Sequence, residues 1–188
     1  MSECIYRHIT RRATSRGMVV NTKKTGMLVI SGAQSYKPEA HIFDSDGTRI
    51  DSGDSLKMLG FHFSGQSNVH AHIKILCRRF RQQMWVLTHL CRFGFSEEEL
   101  VRVYKSIVRP VADYCCVIYH YILTDYEDEE IDRLQAQALK RIFGFSPSYA
   151  EMREKAGLET WRNRRIAMID KFVGKCLDHD HFSDWFPL

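Results

Sequence analysis

No stretch of this 188-residue chain stays apolar for the length a bilayer crossing requires, so the sequence offers no membrane-spanning helix. Its N-terminus is basic but lacks the apolar core of a signal peptide. Six cysteines (Cys4, Cys77, Cys91, Cys115, Cys116 and Cys176) include no C-x-x-C pair and none of the spacings of a small disulfide scaffold. They read as reduced, mostly buried thiols of an intracellular protein, with nucleus and cytoplasm undistinguished. Also missing are a Walker loop, a dinucleotide-binding glycine motif, a Ser/His/Asp arrangement, an internal repeat and any low-complexity segment. His70 with His72, and Cys176 with His179 and His181, supply too few ligands at structural-zinc spacing. Those absences exclude the commonest nucleotide-hydrolysing, redox and zinc-dependent classes that a motif would announce.

What is present is ordinary globular composition, 44% hydrophobic and 27% charged, enough for one domain or two small ones. The net charge of +4 is unevenly spread. From Met1 to Lys37 there are seven Lys or Arg residues against one acid, Glu3. Lys74, Arg78, Arg79 and Arg81 form a second basic cluster, whereas Asp125 to Asp132 is acidic without a Lys or Arg. Such segregation suits a surface that meets a polyanion, and it equally suits two solvated faces.

The first third reads as a small β-rich unit behind one helix. Glu3–Arg16 is expected to be helical with Ile5, Ile9 and Ala13 inward, ended by Gly17. A turn follows at Asn21–Thr25, then a strand at Met27–Ile30 whose continuous apolar run predicts burial on both faces. Gly32–Pro38 reads as loop. Ala40–Phe43 and Thr48–Ile50 flank Asp44–Gly47 as a hairpin. A turn at Asp51–Ser55 leads into a strand over Leu56–Phe63, and Ser64–Asn68 is the expected boundary.

The remainder is helical. His70–Arg92 carries Ile73, Leu76, Phe80, Met84, Leu87 and Cys91 on one stripe. Ser96 and Glu99 form a capping box for a second helix with Leu100, Tyr104, Ile107, Val111, Tyr114 and Ile118 inward. Pro110 lies inside that stripe, which keeps its phase on both sides and so predicts a kink rather than a break. A third helix starts in Asp125–Glu130, buries Ile131, Leu134, Ala138 and Ile142, and ends at Gly144. Short connections predict an antiparallel three-helix bundle. Ser146-Pro147 opens a short helix stopped by Gly157, and Thr160–Leu177 is a last helix with Ile166, Ile169, Phe172 and Val173 inward. Trp85 and Trp161 read as packing anchors. The expected class is α+β, divided at 1–65, 66–145 and 146–188.

Four segments in this order carry a resemblance: Gly17–Thr25 (GMVVNTKKT), Leu56–Phe63 (LKMLGFHF), Val101–Tyr119 (VRVYKSIVRPVADYCCVIY) and Ile131–Gly144 (IDRLQAQALKRIFG). Together they resemble the end of the palm and the thumb of a non-LTR retrotransposon reverse transcriptase, an RNA-directed DNA polymerase. The resemblance makes 1–65 a palm remnant and 66–145 a thumb bundle, followed by a C-terminal helical extension. It implies that Lys24, ahead of the less constrained neighbour Lys23, is a cation near the pyrophosphate of an incoming nucleotide. Leu59, Gly60 and Phe61 would be the primer grip. Lys74, Arg78, Arg79 and Arg81 would touch phosphates of an RNA–DNA or RNA template–primer duplex, weakly and without reading sequence.

The family uses Mg2+ held by aspartates, including an aromatic-x-Asp-Asp motif that precedes the Asn-x-x-Lys-Thr turn. No such motif occurs in this sequence. Phe43-Asp-Ser-Asp46 has similar letters but follows that turn and reads as a hairpin tip; Gly47 and Ser55 also mismatch an EF-hand loop. The expectation is therefore a reverse-transcriptase fragment that binds no metal and does not polymerise by itself. A non-catalytic helical protein-interaction module is the alternative.

Overall fold

The computed structural model describes residues 2–30, 40–44 and 46–179. The expected loop at Gly32–Pro38 lies outside them, as do Ser45 of the hairpin and His181. The chain is mixed α+β and falls into two compact units, 1–71 and 72–188.

In the first unit, helix α1 (Ser2–Thr14) precedes a 3-10 turn at Thr22–Lys24. Five short strands follow: β1 (Met27–Leu28), β2 (His41–Phe43), β3 (Arg49–Gly53), β4 (Ser55–Met58) and β5 (Phe61–Ser64). Strand β3 lies between β1, to which it is parallel, and β2, to which it is antiparallel. The β2–β3 hairpin matches the expectation from Asp44–Gly47. A small core of Tyr6, Ile42 and Ile50, flanked by Val20 and Met27, joins α1 to this sheet. The Tyr6 hydroxyl donates to Asp44 at 3.0 Å, and the Thr22 hydroxyl donates to the other oxygen of the same carboxylate. Asp44 thereby ties the helix and the 3-10 turn to the hairpin.

Three expectations for this unit are corrected. The face of α1 turned to the sheet carries Tyr6, with Thr10 and Ala13 half-buried, whereas Ile5 and Ile9 are exposed. Aromatic area and a hydroxyl that reaches Asp44 decide the rotation of the helix over two isoleucines. The run Met27–Ile30 is not a doubly buried strand, since only Met27 and Leu28 pair, both half-buried, and Ile30 is exposed. Finally, Leu56–Phe63 is two strands. Ser55↔Ser64 through Met58↔Phe61 form an antiparallel pair closed by the two-residue turn Leu59-Gly60. Both turn residues have positive φ, 49° and 83°, as a type I′ turn demands. The Leu56 side chain packs over Gly26, where a Cβ would stand 2.6 Å from Cδ1 and oblige that leucine to move.

The second unit is built on α2 (His70–Arg92), α6 (Asp125–Phe143), α7 (Tyr149–Ala156) and α8 (Trp161–Leu177). Between α2 and α6 run α3 (Glu97–Val103), a π turn at Tyr104–Val108, α4 (Pro110–Asp113), α5 (Cys116–Tyr119) and a 3-10 turn at His120–Ile122. Phe80 is the centre of the core, edge-on to Tyr104 and to Trp161 with ring centroids 6.4 Å away in each case. The stripe Ile73, Leu76, Phe80, Met84 and Leu87 is buried as its spacing predicts, and so are Ile131, Leu134, Ala138 and Ile142. Residues 146–177 belong to this same unit: Tyr149 and the backbone before α8 bond to Gln135 of α6, and Trp161 packs on Phe80.

The segment around Pro110 departs most from expectation. Arg109 N–H donates to the Tyr104 carbonyl at 2.8 Å, an i→i−5 bond, which widens the helix just before the proline. A wider turn gives the pyrrolidine ring room against the preceding carbonyls. It also shifts the inward face by one residue. Leu100, Tyr104, Val108, Ala112, Cys116 and Tyr119 are buried, while Ile107, Tyr114 and Ile118 are exposed. The true break comes later, at Tyr114 and Cys115, where Cys115 has φ 59°. The Tyr119 hydroxyl donates to the Ala112 carbonyl, occupying an acceptor that the end of α4 releases.

Two smaller corrections concern the C-terminal helices. Ser148, not Ser146, caps α7, so Pro147 precedes the cap. On α8 the buried residues are Trp161, Arg165 and Ile169, with Ile166 and Phe172 exposed. Arg165 is inward because it has partners there: it donates to His120 Nδ1 at 3.2 Å and pairs with Asp128.

Candidate functional site

Two sets of residues were expected to meet nucleic acid, one in each unit. In the first, Lys24 closes the 3-10 turn and is exposed. The turn is shaped by bonds from Lys24 N–H to the Asn21 carbonyl and from the Thr25 side chain to the same carbonyl, each 3.0 Å. Leu59 and Gly60 form the tip of the β4–β5 hairpin, and the Leu59 side chain is 84% exposed. A leucine in the left-handed region costs on the order of 1 kcal/mol, so this tip is strained as well as exposed. Phe61, two residues on, is buried beside Phe63, with ring centroids 4.7 Å apart. The expected triad thus divides into an exposed tip and a buried anchor.

In the second unit, Lys74, Arg78, Arg79 and Arg81 are all exposed on α2. At 3.6 residues per turn, Lys74, Arg78 and Arg81 share one stripe opposite the Phe80 core, and Arg79 stands about 100° away from Arg78 around the helix. Arg81 is tied to Glu130 of α6 at 3.0 Å. Among the described residues, Lys74, Arg78 and Arg79 have no acidic partner.

The same stripe continues to Trp85, which is 62% exposed and is not the packing anchor its sequence position suggested. Trp161 is that anchor, fully buried against Phe80. Phase distinguishes them: Trp85 follows Arg81 by four and Lys74 by eleven, so it falls on the basic stripe and not on the Phe80 stripe. The indole stacks on His89, ring centroids 3.7 Å apart at 36°. His89 Nδ1 lies 3.1 Å from the Trp85 carbonyl, which can only accept, so that nitrogen carries the proton. Arg78, Arg81, Gln82 and Trp85 line an open surface groove. Sequence reading missed this cluster because Trp85 was placed near the core phase of the helix, whereas its spacing from Lys74 and Arg81 puts it on the basic stripe.

His72 is buried beside the Tyr119 ring while His70 is exposed, as two residues apart on a helix must diverge. Among the described residues no three His, Cys, Asp or Glu side chains gather as a metal ion would need. Asp44 of the Phe43–Asp46 segment accepts from Tyr6 and Thr22 instead. Among the described residues these side chains do not fit the magnesium pair of a polymerase. All six cysteines are free thiols; burial pushes Cys77 up to about 11 and raises Cys116, so both stay protonated near neutrality. Among the described residues no helix is long and apolar enough to cross a membrane.

Comparison with family models, with curated proteins and with solved structures finds no match to the chain.

Proposed function

We propose that the chain is the primer-holding part of a non-LTR retrotransposon reverse transcriptase, comprising the end of the palm and the thumb. In this reading it binds an RNA–DNA or RNA template–primer duplex weakly and without sequence preference. The metal-holding aspartates of the family are not among its residues, so it contributes binding and not phosphoryl transfer. The first unit is then the palm end, α2 with the α3–α5 segment and α6 is the three-helix thumb, and α7 and α8 are the helices that follow it.

One observation carries the proposal: the Leu-Gly step of the sequence is an exposed, strained hairpin tip. A backbone held at positive φ with its one large side chain in solvent is suited to touching a partner, and a glycine beside it allows close backbone approach. The exposed cations of α2 add sequence-independent affinity for phosphate.

A salt titration with an RNA–DNA hybrid tests it. Affinity should fall linearly on the log–log plot, and Arg78→Glu should lower the slope by about one. Absence of any salt-dependent binding would remove the proposal. That outcome would favour the alternative, a non-catalytic helical interaction module, for which the exposed Ile5 and Ile9 of α1 speak.

A further inference from the structure

We propose that the groove beside Trp85 is a stacking site for an unpaired nucleobase, with Arg78 on the adjoining phosphate. This rests on the nucleic-acid reading above and extends it, because it gives α2 a contact with unpaired bases beside its contacts with duplex phosphates.

The first reason is the state of the indole. Trp85 is exposed on a helix whose other large aromatic, Phe80, is fully buried, so the tryptophan is not there to fill the core. Its ring is nevertheless held. His89, one turn toward the C-terminus, stacks against it, and the His89 ring is itself anchored on the Trp85 carbonyl. A helical side chain leans toward the N-terminus of its helix, which carries the indole over the turn that holds Arg81 and Gln82. The groove lies on that side. The indole therefore lies against the His89 ring and lines an open surface groove shared with Arg78, Arg81 and Gln82.

The second reason is the charge of that groove. Arg81 is braced by Glu130 and holds its place. Arg78, one turn further, has no acidic partner among the described residues and can meet an anion. A flat π-face next to an unpaired guanidinium matches a nucleotide, which presents an aromatic ring and a phosphate a short distance apart. Gln82 can both donate to and accept from the edge of a stacked base.

The selectivity of this contact follows from geometry. Within a duplex each base is covered by its neighbours, so only phosphates and groove edges are offered. An indole face has something to bind only where a base is unstacked. A stripe of cations alone would not distinguish the two forms; the stripe with Trp85 at its end does. RNA and DNA share this chemistry, since every base has a π-face.

The test uses the full chain, a labelled single-stranded oligonucleotide of about 12 nucleotides in RNA and DNA versions, and a blunt RNA–DNA hybrid of the same length. Binding is read by fluorescence anisotropy at fixed salt. Trp85→Ala should weaken single-strand binding about 5- to 100-fold while changing hybrid binding by less than about twofold. Trp85→Phe should restore most of the loss, and Arg78→Glu should weaken both substrates. Equal affinity of wild type and Trp85→Ala for the single strand overturns the stacking site and leaves the duplex-binding proposal standing. Equal losses on strand and hybrid also overturn it, because a general binding defect is not stacking. If the wild type binds neither substrate, both proposals fall together. A difference between the RNA and DNA strands at unchanged sensitivity to Trp85→Ala supports stacking and assigns the remainder to the sugar.

Discussion

The Tyr104 hydroxyl donates to the side-chain oxygen of Gln135 at 3.0 Å, and both residues are sealed from solvent. That bond is one arm of a network. The Gln135 amide nitrogen donates to the Tyr149 hydroxyl at 3.0 Å and to the Glu159 carbonyl at 3.1 Å. Tyr149 in turn donates to Asp132, which also accepts from Trp161 N–H at 3.2 Å. One glutamine on α6 therefore fastens the π turn, α7 and the entry to α8. Burial pushes the Tyr104 phenol far above its usual range and the Tyr149 phenol up to about 12, so both remain donors at any ordinary pH.

Gln135→Leu should consequently destabilise the protein by about 2–4 kcal/mol, since it strands a buried hydroxyl and a carbonyl at once. Tyr104→Phe should cost about 1–2 kcal/mol, because only the Gln135 oxygen loses a partner. Urea unfolding measures both. A Gln135→Leu variant within about 0.5 kcal/mol of wild type would show that the network contributes little.

The π turn yields a second prediction, sensitive to a one-residue shift. In a regular helix continuing the stripe Leu100 and Tyr104, Ile107 would be inward. In the structure Val108 is inward and Ile107 exposed. Val108→Ala should cost about 1–3 kcal/mol and Ile107→Ala less than about 0.5 kcal/mol. The reverse order in unfolding measurements would restore the regular helix and dispose of the widened turn.

These cases show what the sequence made legible. Long helices with an uninterrupted stripe, α2 and α6, were readable almost to the residue, because many apolar positions agree on one phase and Gly144 marks the end of α6. Local hydrogen-bond competition was not readable. The proline at 110 announced a disturbance, but whether the backbone kinks, widens or breaks depends on which carbonyls find donors, and Tyr119 reaching back to Ala112 is a tertiary event. Short elements failed for a related reason. Over the eight residues Leu56–Phe63, alternation cannot tell one strand from two joined by a tight turn, and a leucine at positive φ is an improbable turn residue. Of the candidate site, the basic stripe was legible from charge and spacing. Trp85 was not, because its helical phase was taken as near-core when it lies about 140° around the helix from Phe80.

His120 provides a pH prediction. Its ring accepts a hydrogen bond at Nδ1 from the Arg165 guanidinium, which requires that nitrogen to be unprotonated. Burial, then the positive charge of Arg165, holds its pKa below the ordinary 6.5; Asp128 opposes the shift and Arg162 adds to it. Below about pH 6.5 the unfolded chain binds a proton that the folded chain resists, so stability is full above that pH and declines as pH falls toward the folded value. His120→Gln keeps an acceptor for Arg165 without titrating. Between about pH 7.5 and 5.5 the wild type should lose stability relative to this variant in denaturant melts. Parallel pH dependence of the two proteins would refute the assignment.

Leu59 allows stability and binding to be separated in one substitution. The residue occupies the first central position of a type I′ turn, which asparagine adopts far more readily than leucine. Its side chain is mostly in solvent, so removing it sacrifices little burial. Leu59→Asn produces the preferred Asn-Gly turn and should raise stability by about 0.5–1.5 kcal/mol. If the hairpin tip touches a template–primer duplex, the same variant should bind an RNA–DNA hybrid more weakly, because the exposed apolar contact is lost while the hairpin is unharmed. A tip kept for folding alone would give the opposite combination, with binding unaltered. Urea melts and hybrid titrations on the same preparation read both quantities. A more stable variant with undiminished affinity would take Leu59 out of the proposed interface.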